Sequence, residues 1–261
     1  MELTFEKLNN TRDLGGMETV SGRRIRSGRL IRSGRLFPAS DADKAFLSRT
    51  VDLVVDFRSA QELKEGPDPE IPGVEECHIP ILDDRRAGVS REEESDREAM
   101  MLAFEDPDAA LGAMSRVYRD FVASDFSVSQ YRRFVQLLLA GREKAILWHC
   151  TAGKDRAGFA AVIVEELLGV DRGRIMADYL LTNERLREEV EGLTQEILRH
   201  SKNPSEKSER ATRLFFSAQE AYLRAAYEAA DERYGSFDGF LEQGLGVGPA
   251  DRQRLLDMYL E

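Results

Sequence analysis

Cys150 and Arg156 stand six positions apart in the stretch Ala145–Gly169, AILWHCTAGKDRAGFAAVIVEELLG, and together they could carry out nucleophilic chemistry on a phosphate. A thiol at the start of a helix feels the positive end of the helix dipole and a set of unpaired backbone N–H groups, conditions that favour the thiolate. The same N–H groups, arranged as a ring over Thr151, Ala152, Gly153, Lys154 and Asp155, form a cradle for the oxygens of an anion. Arg156 adds a planar fork that can grip two oxygens at once, a geometry that lysine cannot imitate. Gly153 lets the backbone approach an anion without a side chain in the way. The chemistry implied is attack of Cys150 on phosphorus, then hydrolysis of the cysteinyl phosphate by water.

Such a loop must be held between two rigid elements, and its flanks supply them. Ala145–Trp148 is a short apolar run that reads as a strand. Ala157–Leu168 has apolar residues at helical spacing, with Gly169 as a stop. The seven residues from Cys150 to Arg156 therefore turn the chain from a strand end into a helix start.

With these flanks, His149, Cys150, Gly153 and Arg156 match the signature HCxxGxxR, and the loop resembles that of the cysteine-dependent tyrosine phosphatase superfamily. The closer resemblance is to its bacterial and fungal tyrosine-serine phosphatase branch, whose loop reads HCxAGKDR, as here from His149 to Arg156. The resemblance implies an α/β fold with a central, mostly parallel sheet flanked by helices. It implies a cysteine-dependent phosphatase acting on phosphorylated protein, phosphotyrosine first, with phosphoserine or phosphothreonine or a phosphoinositide as further substrates. No cofactor or metal is expected. Two other segments resemble the branch: NxRDLGG followed by an RSGxL strand, which makes Arg12 and Arg32 second-tier site candidates, and Asp56-Phe57-Arg58-Ser59, where the branch reads DLRxxxE, which contributes Asp56 and Arg58. DYLLTN at Asp178–Asn183 and YGSFDGFLEQGLGV at Tyr234–Val247 extend the resemblance over essentially the whole chain.

The leaving alcohol needs a proton, and the acid expected here is Asp155, with Asp56 and Asp84 behind it and Asp120 or Asp125 at the spacing that other relatives use. Lys154, by resemblance to phosphoinositide phosphatases, adds a charge for extra phosphates. One position departs from the pattern: relatives carry Ser or Thr after the Arg, and this chain has Ala157, which predicts slower breakdown of the phosphoenzyme. A non-catalytic phosphate-binding module on the same loop is the alternative function. A rhodanese or arsenate reductase fits poorly, because those lack the GKDR pattern and the long helical tail.

Composition bounds the rest. The chain has 261 residues, 42% hydrophobic and 33% charged, as expected of a globular protein with one large domain. A net charge of -11 argues against nucleic acid as a partner, so anion affinity must be local. No run reaches the ~18 apolar residues of a membrane span and no signal peptide is apparent, so a cytoplasmic location is expected, with signal-less secretion as the alternative. Of the two cysteines, Cys77 reads as a structural thiol, the alternative being a protective disulfide with Cys150.

Along the chain, a hairpin is predicted around Ile25, Leu30 and Leu36, a helix over Ala42–Ser48, a buried strand over Val51–Phe57 and a strand near Glu76–Ile81. Residues 85–125 are predicted to form a helical insertion or lid, with helices over Ser95–Phe104 and Ala109–Val122 and with Met100, Met101 and Met114 beneath it. Val128–Ala140 is a further helix. Residues 171–261 form a helical C-terminal part, with long helices over Arg172–His200 and Ala211–Tyr234, a loop over Ser201–Arg210, and two short helices at the end.

Overall fold

A computed structural model describes residues 5–82, 101–201 and 204–261. Its centre is a five-stranded sheet in the order β1-β2-β5-β3-β4. The strands are β1 (Arg12–Asp13), β2 (Leu30–Ser33), β3 (Val51–Asp56), β4 (Glu75–His78) and β5 (Ala145–His149). Only the β1–β2 pair is antiparallel. The predicted α/β architecture with a mostly parallel sheet is therefore the one observed.

Side chains of the central strands alternate between two cores, as the pleat requires. Leu30, Leu53, Val55, Ile146 and Trp148 enter the larger core, and Ile31, Val54, Ala145 and Leu147 enter the smaller one. Val51 shares the smaller core with Val54 although they stand three positions apart, because the register shifts between Val51 and Leu53. A bulge of this kind resets which face a strand presents.

Helix α1 (Asp41–Thr50) brings Leu47 to the smaller core and starts in a reciprocal cap between Ser40 and Asp43. On the other face lie α4 (Asp125–Ala140) and α5 (Arg156–Leu168); in α5 eleven of thirteen residues are buried, which identifies the central helix of the domain. Gly169, at φ +76°, ends α5 in a left-handed cap that the sequence anticipated. Short α2 (Ala60–Glu65) follows β3, and α3 (Pro107–Ala123) precedes α4.

The helical boundaries differ from the predictions in informative ways. The helix predicted over Arg172–His200 is two, α6 (Arg172–Arg185) and α7 (Arg187–His200), with buried Leu186 in the bridge region at φ -105°, ψ 10° between them. The loop predicted over Ser201–Arg210 gives way to α8 (Glu206–Phe216), because Ser205 and Ser208 cap each other's backbone. The helix predicted over Ala211–Tyr234 breaks at residues 217–219, after which α9 (Glu220–Tyr234) begins. The amide of Asn183 satisfies both backbone groups of Ala218 at that break, at 2.7 and 2.9 Å, which lets the chain leave the helix inside the fold.

Of the predicted insertion, residues 83–100 lie outside the described residues, and with them Asp84, Met100 and most of the helix expected over Ser95–Phe104. Helix α3 packs against α8 and α9 and sends Met114, Tyr118, Phe121 and Val122 into the main core. Met114 is thus a core residue, while Met101 is exposed. Among the described residues no helix is long and apolar enough to cross a membrane. Cys77 and Cys150 are both free thiols. Cys77 registers with Val55 and Val55 with Trp148, so β3 lies between the two cysteine-bearing segments.

Candidate active site

Strand β5 ends at His149, the loop follows from Cys150, and α5 begins at Arg156. The loop's carbonyl groups are taken up from outside. The Thr151 oxygen accepts from Arg35 N–H (3.0 Å), Ala152 from Asn10 Nδ2 (3.0 Å), Gly153 from Arg32 Nη2 (2.8 Å) and Arg156 from the Tyr131 hydroxyl (3.0 Å). Trp148 Nε1 holds the Ala157 carbonyl at 3.0 Å. A peptide unit whose oxygen is pulled outward turns its neighbour's N–H inward, and none of the N–H groups from Thr151 to Arg156 has an acceptor among the described residues. Six unused amide donors beside a thiol that is 2% exposed can cradle an anion.

Gly153 is required twice over. Its φ is +69°, and a Cβ there would sit 2.6 Å from the Ser33 carbonyl oxygen. No side chain fits so close to the backbone of β2.

Arg156 is held by a partner that the sequence reading did not single out as part of the site. Its Nη1 and Nη2 donate to the two carboxylate oxygens of Glu62 at 2.5 and 2.8 Å. Glu62 also accepts from the Thr151 hydroxyl and from Ser59 N–H, the latter through a capping box at the start of α2. Burial by itself would raise the Glu62 carboxyl, but Arg156, Thr151 and Ser59 N–H reverse this and bring it down to about 2. Arg156 is correspondingly raised against the pull of burial by Glu62 and by the nearby negative charges of Cys150 and Asp155. Both ends of the fork lie on Glu62, and Arg156 Nε donates to nothing among the described residues. An anion can therefore be met by the side of the guanidinium, through Nε and an outer Nη hydrogen. The signal for Glu62 was present as Ser-x-x-Glu after a strand, which reads as a helix cap and conceals the second use of the carboxylate.

Asp155 precedes α5 but does not cap it. Its Oδ1 accepts from the Tyr118 hydroxyl at 3.0 Å and lies 3.4 Å from Lys154 Nζ. The side chain is 25% exposed, and no donor reaches Oδ2 among the described residues. Lys154 itself is 4% exposed, and its ammonium donates to the carbonyls of Phe215 (2.7 Å) and Ser217 (3.4 Å) at the C-terminal end of α8. It therefore lies beneath α8, with its donors directed to backbone.

Arg12 and Arg32 face away from the cradle. Arg12 grips Asp178 through Nε and Nη2 at 2.8 and 3.0 Å, and Arg32 Nη1 reaches the same carboxylate at 2.9 Å. Arg32 Nη2 ends on the Gly153 carbonyl. Arg12 Nη1 bonds Asn10, whose amide holds Ala152; Asn10 adopts φ 53° to do so. Asp178, on α6, is thus the hub that anchors two loop carbonyls. Its signal was the DYLLTN run, which carried resemblance without a role.

His149 is fully buried, with Nε2 3.0 Å from Asp68 and 3.8 Å from Asp56. Arg58 pairs with both carboxylates, at 2.9 and 2.7 Å. Burial opposes the charged form of Asp56, but His149 and Arg58 outweigh it and lower its carboxyl. The three ligand-type side chains Asp56, Asp68 and His149 cluster within 4.8 Å, but Arg58 already supplies the cation there. This network braces the strand ends beneath the loop, so Asp56 and Arg58 stand behind the cradle. Asp125 is exposed and paired with Arg233 on α9, so α4 does not present it to the loop.

A family model described as the tyrosine phosphatase family matches residues 3–261. The chain is 33% identical over 257 residues to "Putative tyrosine-protein phosphatase" of Cupriavidus necator, covering 95% of this chain and 86% of that one. It is 32% identical over 236 residues to the triple specificity protein phosphatase PtpB of Mycobacterium tuberculosis, covering 82% and 85%. A tyrosine-protein phosphatase of Nostoc commune is 28% identical over 222 residues, covering 83% and 69%.

Proposed function

The chain belongs to the tyrosine phosphatase family, and from that premise we propose that it hydrolyses phosphate monoesters through a cysteinyl-phosphate intermediate. The thiolate of Cys150 attacks phosphorus while the bond to the leaving oxygen breaks. The six inward N–H groups and the side of the Arg156 guanidinium neutralise charge on the three remaining oxygens. Asp155, protonated, gives its proton to the leaving alcohol or phenol from Oδ2. Water then attacks phosphorus and the P–S bond breaks; Asp155 takes the proton, which leaves inorganic phosphate and the Cys150 thiolate. The observation that carries this reading is the ring of unused N–H groups beside Cys150 with Arg156 fixed by Glu62.

Phosphotyrosyl protein is the proposed first substrate. Phosphoserine or phosphothreonine is the second candidate; the name of the mycobacterial relative, a triple specificity protein phosphatase, is in keeping with a range wider than phosphotyrosine. For phosphoinositides, the support from Lys154 weakens once its ammonium is seen to be bonded to two backbone carbonyls. A panel of phosphotyrosyl, phosphoseryl and phosphoinositide substrates, assayed with the wild type and with Cys150→Ser, tests the reading. Turnover that Cys150→Ser abolishes is expected, and turnover that survives the substitution would remove Cys150 from the mechanism.

A further inference from the structure

Tyr118 and Tyr179 lie in the main core, and nothing about their spacing marks them for chemistry. Their hydroxyls nevertheless form a directed chain. Tyr179 donates to Tyr118 at 2.8 Å, and Tyr118 donates to Asp155 Oδ1 at 3.0 Å. The direction is fixed at the Asp155 end, because Tyr118 has one hydroxyl hydrogen, gives it to the carboxyl oxygen and is left to accept from Tyr179. It is fixed along its length by burial, which keeps both phenols protonated: Tyr118 is raised well above its ordinary value by burial and by Asp155, and Tyr179 is raised by burial.

We infer that Tyr118 and Tyr179 are positioning residues that hold the Asp155 carboxyl so that Oδ1 is anchored and Oδ2 faces the leaving oxygen. This rests on the reading of Asp155 as the general acid. A carboxyl that can turn about its last bond spends only part of its time with the protonated oxygen aimed at the substrate. The Tyr118 hydroxyl on Oδ1 removes that freedom. Lys154, the residue before Asp155, is held separately by the Phe215 and Ser217 carbonyls at the C-terminal end of α8, next to the break that Asn183 clamps.

The test exploits the leaving group. An acidic phenol departs with little help, whereas an ordinary alcohol depends on the acid. We compare kcat/KM for an acidic aryl phosphate and for a phosphoseryl peptide in wild type, Tyr118→Phe, Tyr179→Phe and Asp155→Asn. Each Tyr→Phe change deletes a hydroxyl and keeps the buried ring. Tyr118→Phe is expected to lose roughly tenfold more on the phosphoseryl peptide than on the acidic aryl phosphate, with Tyr179→Phe in the same direction and smaller. Asp155→Asn is expected to show the same pattern more strongly. Equal losses of Tyr118→Phe on both substrates, with Asp155→Asn still selective, would overturn the inference and leave the acid assignment intact. Loss of selectivity in Asp155→Asn as well would overturn the acid assignment itself.

Discussion

The guanidinium of Arg156 and the carboxylate of Glu62 meet end to end, two nitrogens on two oxygens, although 94 residues separate them in the chain. The pair joins the loop after β5 to the helix after β3, two strand ends that are neighbours in the sheet. Buried charge of this kind is costly unless paired, so the fold fixes the orientation of the arginine before any substrate arrives.

Glu62→Gln should therefore leave the fold intact and lower kcat/KM by roughly 10- to 100-fold, because the fork loses its orienting charge. The pH dependence of stability supplies a second readout. The Glu62 carboxyl lies at about 2 in the folded protein against an ordinary 4.5, so between these values the unfolded chain binds more protons. Stability from this group is complete above about 4.5 and is lost as pH falls through about 2; it is on the order of 2–3 kcal/mol. The difference in urea-unfolding free energy between wild type and Glu62→Gln should shrink as pH falls from 6 to 3. A constant difference would contradict the assignment.

Gly153→Ala is expected to reduce activity by at least about 100-fold, since both the positive φ and the 2.6 Å approach to Ser33 O forbid a side chain. Gly73 provides a control: its φ is +77°, yet nothing lies within 4 Å of a Cβ there. Gly73→Ala should cost only about 1 kcal/mol in unfolding experiments and spare turnover. Comparable losses of turnover from the two changes would refute the close-approach argument.

These two sites mark what could be read from the residues alone. Cys150, Gly153 and Arg156 were legible because a strand, a turn and a helix start surround them within one short window. The parallel sheet was legible in the apolar run of β3, and α5 in its spacing. Glu62, Asp68, Asp178 and Tyr118 were not, because their roles depend on tertiary partners, from 37 residues away for Tyr118 with Asp155 to 166 for Asp178 with Arg12. Arg12 and Arg32 were found by pattern, but their orientation toward Asp178 is a matter of tertiary pairing. The breaks at Leu186 and at residues 217–219 contain no proline or glycine, and the second depends on the distant Asn183 side chain.

Asp178→Asn should be severely destabilising. It removes the one carboxylate shared by two buried guanidinium groups, and such a loss typically costs about 3–5 kcal/mol. Arg32 then no longer holds the Gly153 carbonyl in place, so residual folded enzyme should bind phosphate more weakly. Denaturant titration with inorganic phosphate as competitive inhibitor measures both effects; a change under about 1 kcal/mol would show that Arg12 and Arg32 find other partners.

Ala157 is fully buried in the first turn of α5, at the position where the resemblance leads one to expect a Ser or Thr hydroxyl. Ala157→Thr should shorten the life of the phosphoenzyme by aiding departure of the Cys150 thiolate, while leaving kcat/KM close to wild type. Equal lifetimes in rapid-quench experiments would sink this account.

The central claim is covalent catalysis by Cys150. Mixing the enzyme with an aryl phosphate, quenching in acid within milliseconds and mapping the adduct by mass spectrometry addresses it directly. The account predicts one added phosphate on the peptide bearing Cys150, together with a burst of phenol equal to the enzyme present, and neither in Cys150→Ser. Phenol release without a burst or an adduct, at the same rate in Cys150→Ser, would contradict it.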